Sequence, residues 1–207
     1  IETDDGELLI PVYFRELEGK YTAVTVLRCS FDGERITFLE HGDVLRHDVK
    51  RGLGEPSLTK FGDRHFLTIR HDDAGFVTRG DGLSFEPIRE WTFDDGEPLG
   101  TYNTQSHWIT HSDGLFLVYT RRAGNNDHVF RHRAPLFIGQ VDPERLCVVR
   151  ETEQIAVPER GARLGNFGTV NVTPDESWVV ASEWMQPAGC EQYGSDNAIY
   201  VSRIQWA

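Results

Sequence analysis

The sequence predicts an all-β fold, and three observations carry the prediction. Short runs rich in Val, Ile, Phe and Trp alternate with turns of Gly, Asp and Asn. No segment offers the i, i+3, i+4, i+7 apolar stripe of an amphipathic helix. One turn-and-strand pattern returns four times along the 207 residues.

In the first unit, residues 1–50, the turn Asp5-Gly6 leads into a strand at 8–12, followed by another at 23–28. In the second, 51–100, Gly62-Asp63 leads into 66–69, followed by 75–78. In the third, 101–160, Asp113-Gly114 leads into 115–119, followed by 135–141, after which Asp142–Leu146 suits a single helical turn. In the fourth, 161–207, Pro174-Asp175 leads into 178–180, followed by 198–204. The turn aspartates stand roughly 50 to 60 positions apart, a period typical of repeat architectures. Each unit is long enough for a small antiparallel sheet, so the repeat reads as about four blades of a β-propeller. A β-sandwich explains the strands but not the period.

Composition narrows the partners. With 33 Asp+Glu against 21 Lys+Arg, the net charge is −12, which argues against a nucleic-acid backbone as main partner, since phosphate contacts need a basic face, but leaves room for an anionic small ligand at a local arginine cluster. No apolar run approaches the roughly 18 residues of a membrane-spanning helix. A 39% hydrophobic content supplies a core. Cys29, Cys147 and Cys190 form no CxxC pair and do not suggest a disulfide framework. The single methionine is Met185, so the expectation is that a leader has been removed or that the chain is a piece of a longer protein.

Two segments, Ser30–Phe38 and Thr78–Phe85, resemble the Asp-box hairpin Ser-x-Asp-x-Gly-x-Thr-Trp, the first with one extra residue and the second with Gly80 at the aspartate position. Their aspartates and glycines hold turns and carry no chemistry. Together with the repeat, they make the chain similar to the later blades of a sialidase-like, BNR-repeat propeller of six blades. The most specific segment runs from Gly54-Glu55-Pro56-Ser57-Leu58 through Asp63 to Arg70. The resemblance implies that Glu55 supports the reacting centre and that Arg70 is one of three arginines clamping a substrate carboxylate, as planar guanidinium groups do in forked pairs. It implies a third arginine one blade later: Arg133 first, with Arg131 in the same segment and Arg121 and Arg122 as competitors. It also implies an acidic carbohydrate ligand, no cofactor and no metal, and it leans towards a secreted or periplasmic location. Four blades leave an open edge, to be covered by missing blades or by self-association.

Two departures limit the resemblance. Eight residues before the turn aspartates stand Glu55, Gln105 and Phe167, equivalent places on inner strands. Where sialidases carry their tyrosine nucleophile, this chain reads Gly165-Asn166-Phe167-Gly168-Thr169, and a phenylalanine has no oxygen to attack with. The first arginine and the acid/base aspartate of the early blades have no counterpart.

Other chemistry concentrates in the third unit, with His107, His111, His128 and His132. On strands, residues four apart lie about 13 Å from each other, so neither His-x3-His pair chelates a metal alone. His107, Tyr102 and Gln105 instead suggest a base and sugar-binding group of the kind propeller polysaccharide lyases use, with an arginine neutralising a uronate carboxylate. Trp184 is a candidate for stacking on a sugar ring or for core packing. The glycine-rich run 161–168 lacks the Lys-Ser/Thr of a P-loop and reads as a flexible lead-in to a strand, with Arg160 or Arg163 reaching the channel mouth. Residues 187–197 read as a polar loop. Three functions stay open: a hydrolase using Glu55, Arg70 and Arg133, a lyase using His107 and Tyr102, and a non-catalytic carbohydrate-binding propeller.

Overall fold

A computed structural model describes residues 1–112 and 114–206; the expected turn aspartate Asp113 lies outside the described residues. The chain divides into two compact units, Ile1–Glu90 and Trp91–Ala207. Each holds two antiparallel sheets.

In the first unit, β1 (Leu8–Phe14), β2 (Ala23–Phe31) and β3 (Ile36–His41) form one sheet in that order. Across the Asp5-Gly6 turn, Ile1 and Leu9 exchange backbone hydrogen bonds of 2.8 and 2.9 Å, so residues 1–3 flank β1 on its other side. The second sheet runs β4 (Gly54–Phe61), β5 (Arg64–Arg70), β6 (Phe76–Gly80) and β7 (Arg89–Glu90). All of Phe66-Leu67-Thr68-Ile69 is buried, as expected of a strand covered on both faces. Leu67 and Ile69 join Val24 and Leu53 in the core of this unit, with Phe76, Phe85 and Ile88 against them. Truncating either β5 residue to alanine costs about 2–5 kcal/mol.

In the second unit, β8 (His107–His111), β9 (Gly114–Tyr119) and β10 (Leu136–Asp142) form a meander, and β11 (Cys147–Val148) and β12 (Gln154–Val157) both pair with the far side of β10. In the last sheet β15 (Glu176–Trp184) is central. It pairs with β13 (Arg163–Leu164) and β14 (Gly168–Thr173) on one side and β16 (Ile199–Gln205) on the other. Ile109, Val118, Leu136, Leu164, Phe167 and Val179 share one core.

The expected turns therefore open β1, β5 and β15, and the strands predicted next are β2, β6, β10 and β16. The strands before those turns are poor in apolar residues: β14 reads Gly-Thr-Val-Asn-Val-Thr, so pattern alone gives it no bounds. In three sheets, between β2 and β3, after β6, and between β10 and β11, an aspartate carboxylate closes the turn by accepting two backbone N–H groups. Asp32 takes those of Glu34 and Arg35, Asp81 those of Leu83 and Ser84, and Asp142 those of Glu144 and Arg145. Asp142–Leu146 is thus a carboxylate-held turn, in which Leu146 N–H donates to the Asp142 carbonyl. The glycine-rich run 161–168 is not loose: it contains β13, whose two residues are buried. Residues 187–197 carry a short 3-10 turn, Cys190–Tyr193, with Cys190 buried. All three cysteines are free thiols. Among the described residues no helix is long and apolar enough to cross a membrane.

Within each sheet the two ends differ. The tight turns before β5 and after β6 lie at one end of their sheet; Glu55 and Arg70 lie at the other. In the third sheet, Tyr102, Arg121, His132 and Arg133 gather at the end opposite the Asp142 turn, and in the fourth Arg163, Phe167 and Trp184 lie opposite the 174–175 turn.

Candidate functional site

In the first unit, Glu55 sits at a β-bulge where the β4–β5 register shifts between Gly54 and Ser57, and its φ of 42° places it in the left-handed region. Such a conformation in a non-glycine residue costs on the order of 1 kcal/mol and re-aims the side chain. Arg70, at the end of β5, donates from Nη1 to Glu55 Oε1 at 2.9 Å. Its Nη2 lies 3.8 Å from Asp72 Oδ1. Arg51 grips the same Asp72 with a fork, Nε to Oδ2 at 2.8 Å and Nη2 to Oδ1 at 2.5 Å. That fork holds the Asp72 carboxyl below the usual aspartate range and raises the Arg51 guanidinium in return.

These groups line a cleft of about 230 Å³ together with Tyr13, Thr22, Gly52, Gly54 and His71. His71 is buried, bonded through Nε2 to the Val49 carbonyl at 3.0 Å, and braces the wall. Gly52 is required: its φ is +87°, and a Cβ there would meet the Thr22 carbonyl oxygen at 2.2 Å. Among the described residues, Glu55 Oε2 is buried and has no hydrogen-bond partner, which leaves its acceptor capacity unmet. Tyr13, Arg51 and Asp72 also line the cleft, and sequence reading did not single them out. Tyr13 comes from a different sheet, and the others from loops that look like ordinary charged connections.

In the second unit, Tyr102 pairs with His132 rather than with His107: the phenol oxygen lies 2.6 Å from His132 Nδ1. His132 Nε2 is 3.3 Å from Asp127, and Arg122 stacks over the Tyr102 ring at 3.8 Å. His107 packs edge-on against Phe167, ring centroids 5.0 Å apart, and burial pushes its imidazole below the ordinary histidine value. Gln105 is buried two residues before β8, where it receives a bond from Thr104.

The arginines divide. Arg121 grips Glu153 with both ends of its fork, at 2.8 and 2.6 Å, donates to two loop carbonyls and lies over Phe137. Its donors face the protein rather than a ligand. Arg133 is buried and donates to the Asn103 carbonyl at 2.8 Å, which ties it to the Tyr102 loop. Arg131 is exposed. Trp184, 52% exposed at the end of β15, stacks its ring on Arg163. Among the described residues no group of His, Cys, Asp and Glu is arranged to hold a metal ion.

No protein-family model matches the sequence. No curated protein matches it either. Solved structures do. A protein of unknown function from Dyadobacter fermentans aligns over 100% of this chain and 52% of its own length, with 16% identity and a TM-score of 0.64. A Trypanosoma rangeli sialidase aligns over 99% of this chain and 30% of its own, at 12% identity and a TM-score of 0.56. A GH32 beta-fructofuranosidase of Bombyx mori covers 96% of this chain and 45% of its own, at 14% identity and a TM-score of 0.58. This chain thus spans about half the length of the Dyadobacter protein and less of the other two. At such identities the likeness speaks of fold alone, and the fold is that of all-β propellers.

Proposed function

We propose that the chain is a carbohydrate-active propeller domain, part of a six-bladed ring with blades at about 1–50, 51–100, 101–160 and 161–207, and that it cleaves a glycosidic bond in an anionic carbohydrate. The carrying observation is the Glu55–Arg70 pair, 2.9 Å apart in a cleft able to receive a sugar. The fold shared with sialidases and with GH32 and GH43 enzymes supports the same reading. Arg70 and Arg51 would draw the ligand's carboxylate, and Glu55 would accept a hydrogen bond or proton through its unpaired carboxylate oxygen. Phe167 supplies no nucleophile; Tyr13, on the cleft wall, offers the phenol that position lacks.

The test is turnover of acidic oligosaccharides. Release of a reducing sugar, lost in Glu55→Gln and with binding abolished in Arg70→Ala, supports the reading. Glycan binding without turnover, unchanged by Glu55→Gln, would point to a binding module instead. A second reading, elimination at a uronate, is favoured by the Tyr102–His132 pair and would announce itself by the ultraviolet absorbance of an unsaturated product.

A further inference from the structure

A buried guanidinium is expected to meet a carboxylate, because an uncompensated buried charge is costly. Arg163 does not. It is 6% exposed, yet among the described residues its guanidinium makes no hydrogen bond and no ion pair, and its Nε is buried without a partner. It lies 3.6 Å over the Trp184 ring and 5.2 Å from that of Phe130, both of which are about half exposed. Arg131, 5.2 Å from the same Phe130 ring, also has no ion pair among the described residues. Burial and the charge of Arg131 both act against the protonated form of Arg163.

Nearby carboxylates are engaged elsewhere. Glu183 accepts from the backbone of Asp196 and Ala198 and from the Tyr200 hydroxyl; Glu159 faces His128 and the Gly161 N–H. In a chain of net charge −12, two neighbouring arginines are thus left without a counter-charge.

We propose that Arg163 and Arg131 hold the carboxylate of an acidic sugar whose ring rests on Trp184. The indole fixes the plane of the guanidinium, which orders its N–H fork for a planar carboxylate before any ligand arrives. The half-exposed indole also offers apolar surface to the C–H face of a pyranose, so that one side chain orients the cation and seats the sugar. A uronate, with carboxylate and ring directly joined, fits both at once. The proposal does not rest on the reading of the Glu55–Arg70 cleft: Arg70→Ala tests that reading and Arg163→Met tests this one.

The experiment is calorimetric titration of the full chain with galacturonate, galactose and inorganic sulfate, alongside thermal melts. Galacturonate should bind at least tenfold more tightly than either other probe. Arg163→Met should weaken it at least tenfold while leaving the melting temperature unchanged or higher, since it removes a buried charge that lacks a partner. Trp184→Leu, at a half-exposed position, should fold normally and weaken galacturonate binding more than sulfate binding. Equal affinity for galactose, or for sulfate (an anion hole with no sugar component), overturns the proposal. So does Arg163→Met retaining affinity, or melting well below the parent, which would make Arg163 a structural residue.

Discussion

Replacing Arg121 by alanine should destabilise the protein without touching ligand binding. The side chains of Arg121 and Glu153 are 15% and 14% exposed, and Tyr119, fully buried, donates its hydroxyl to the same carboxylate at 2.5 Å. Burial, and then the hydrogen bond to Glu153, push the Tyr119 phenol far above its ordinary value, so it stays protonated and cannot replace the lost cation. Removing one partner of a buried ion pair strands the other, at a cost of about 3–5 kcal/mol. At roughly 2–4 °C per kcal/mol for a chain of this size, even 3 kcal/mol lowers the midpoint by about 6–12 °C. Circular dichroism melts of Arg121→Ala and Glu153→Gln at neutral pH would measure it, with Glu153→Gln the milder because the amide still accepts from Tyr119. A midpoint shift under about 2 °C in Arg121→Ala, accompanied by loss of carbohydrate binding, would refute the structural assignment and return Arg121 to the ligand.

Three further outcomes are expected. Asp72 ionises below the ordinary aspartate value of about 3.9 because Arg51 bonds to its charged form, so its stabilisation is complete above that pH and lost as pH falls through the lower folded value. Asp72→Asn should therefore flatten the acid limb of stability in urea melts between about pH 5 and 2, and an unchanged slope would contradict the Arg51 fork. Burial depresses His107, so the folded state resists a proton that the unfolded chain takes up below about pH 6.5, and stability declines as pH falls from there. His107→Phe should remove that decline, which melts across pH 5 to 7 would detect. Gly52→Ala forces a Cβ against the Thr22 carbonyl in a left-handed backbone; it should abolish cleft binding or cost about 1–3 kcal/mol, and a silent variant would show the cleft wall to be pliable.

The sequence made some of this legible and not the rest, for physical reasons. Turns ruled by Asp and Gly, with β-branched strands after them, announce themselves locally, so β5, β9, β10 and β15 could be read. Glu55 and Arg70 could be paired because they open and close one hairpin in sequence, and antiparallel geometry brings its two termini together. Tyr102 and His132 are 30 positions apart on two loops, and nothing in either segment says that they meet. His107, nearer in sequence to Tyr102, was the natural expectation, but its place at the start of β8 sends it against Phe167. Arg163 hides for a similar reason: the glycines around it suggest a loose linker, and only pairing with β15 reveals that its side chain is buried.

The carboxylate-held turns at Asp32 and Asp142 set the protein engineer a limit. Each carboxylate binds its own backbone, the Asp142 turn being braced besides by Arg145 on the Asp94 carbonyl, and each sits at one end of its sheet. A peptide tag inserted inside either turn would part the carboxylate from the N–H groups it holds, so a graft that is to spare the scaffold belongs outside Asp32–Arg35 and Asp142–Arg145.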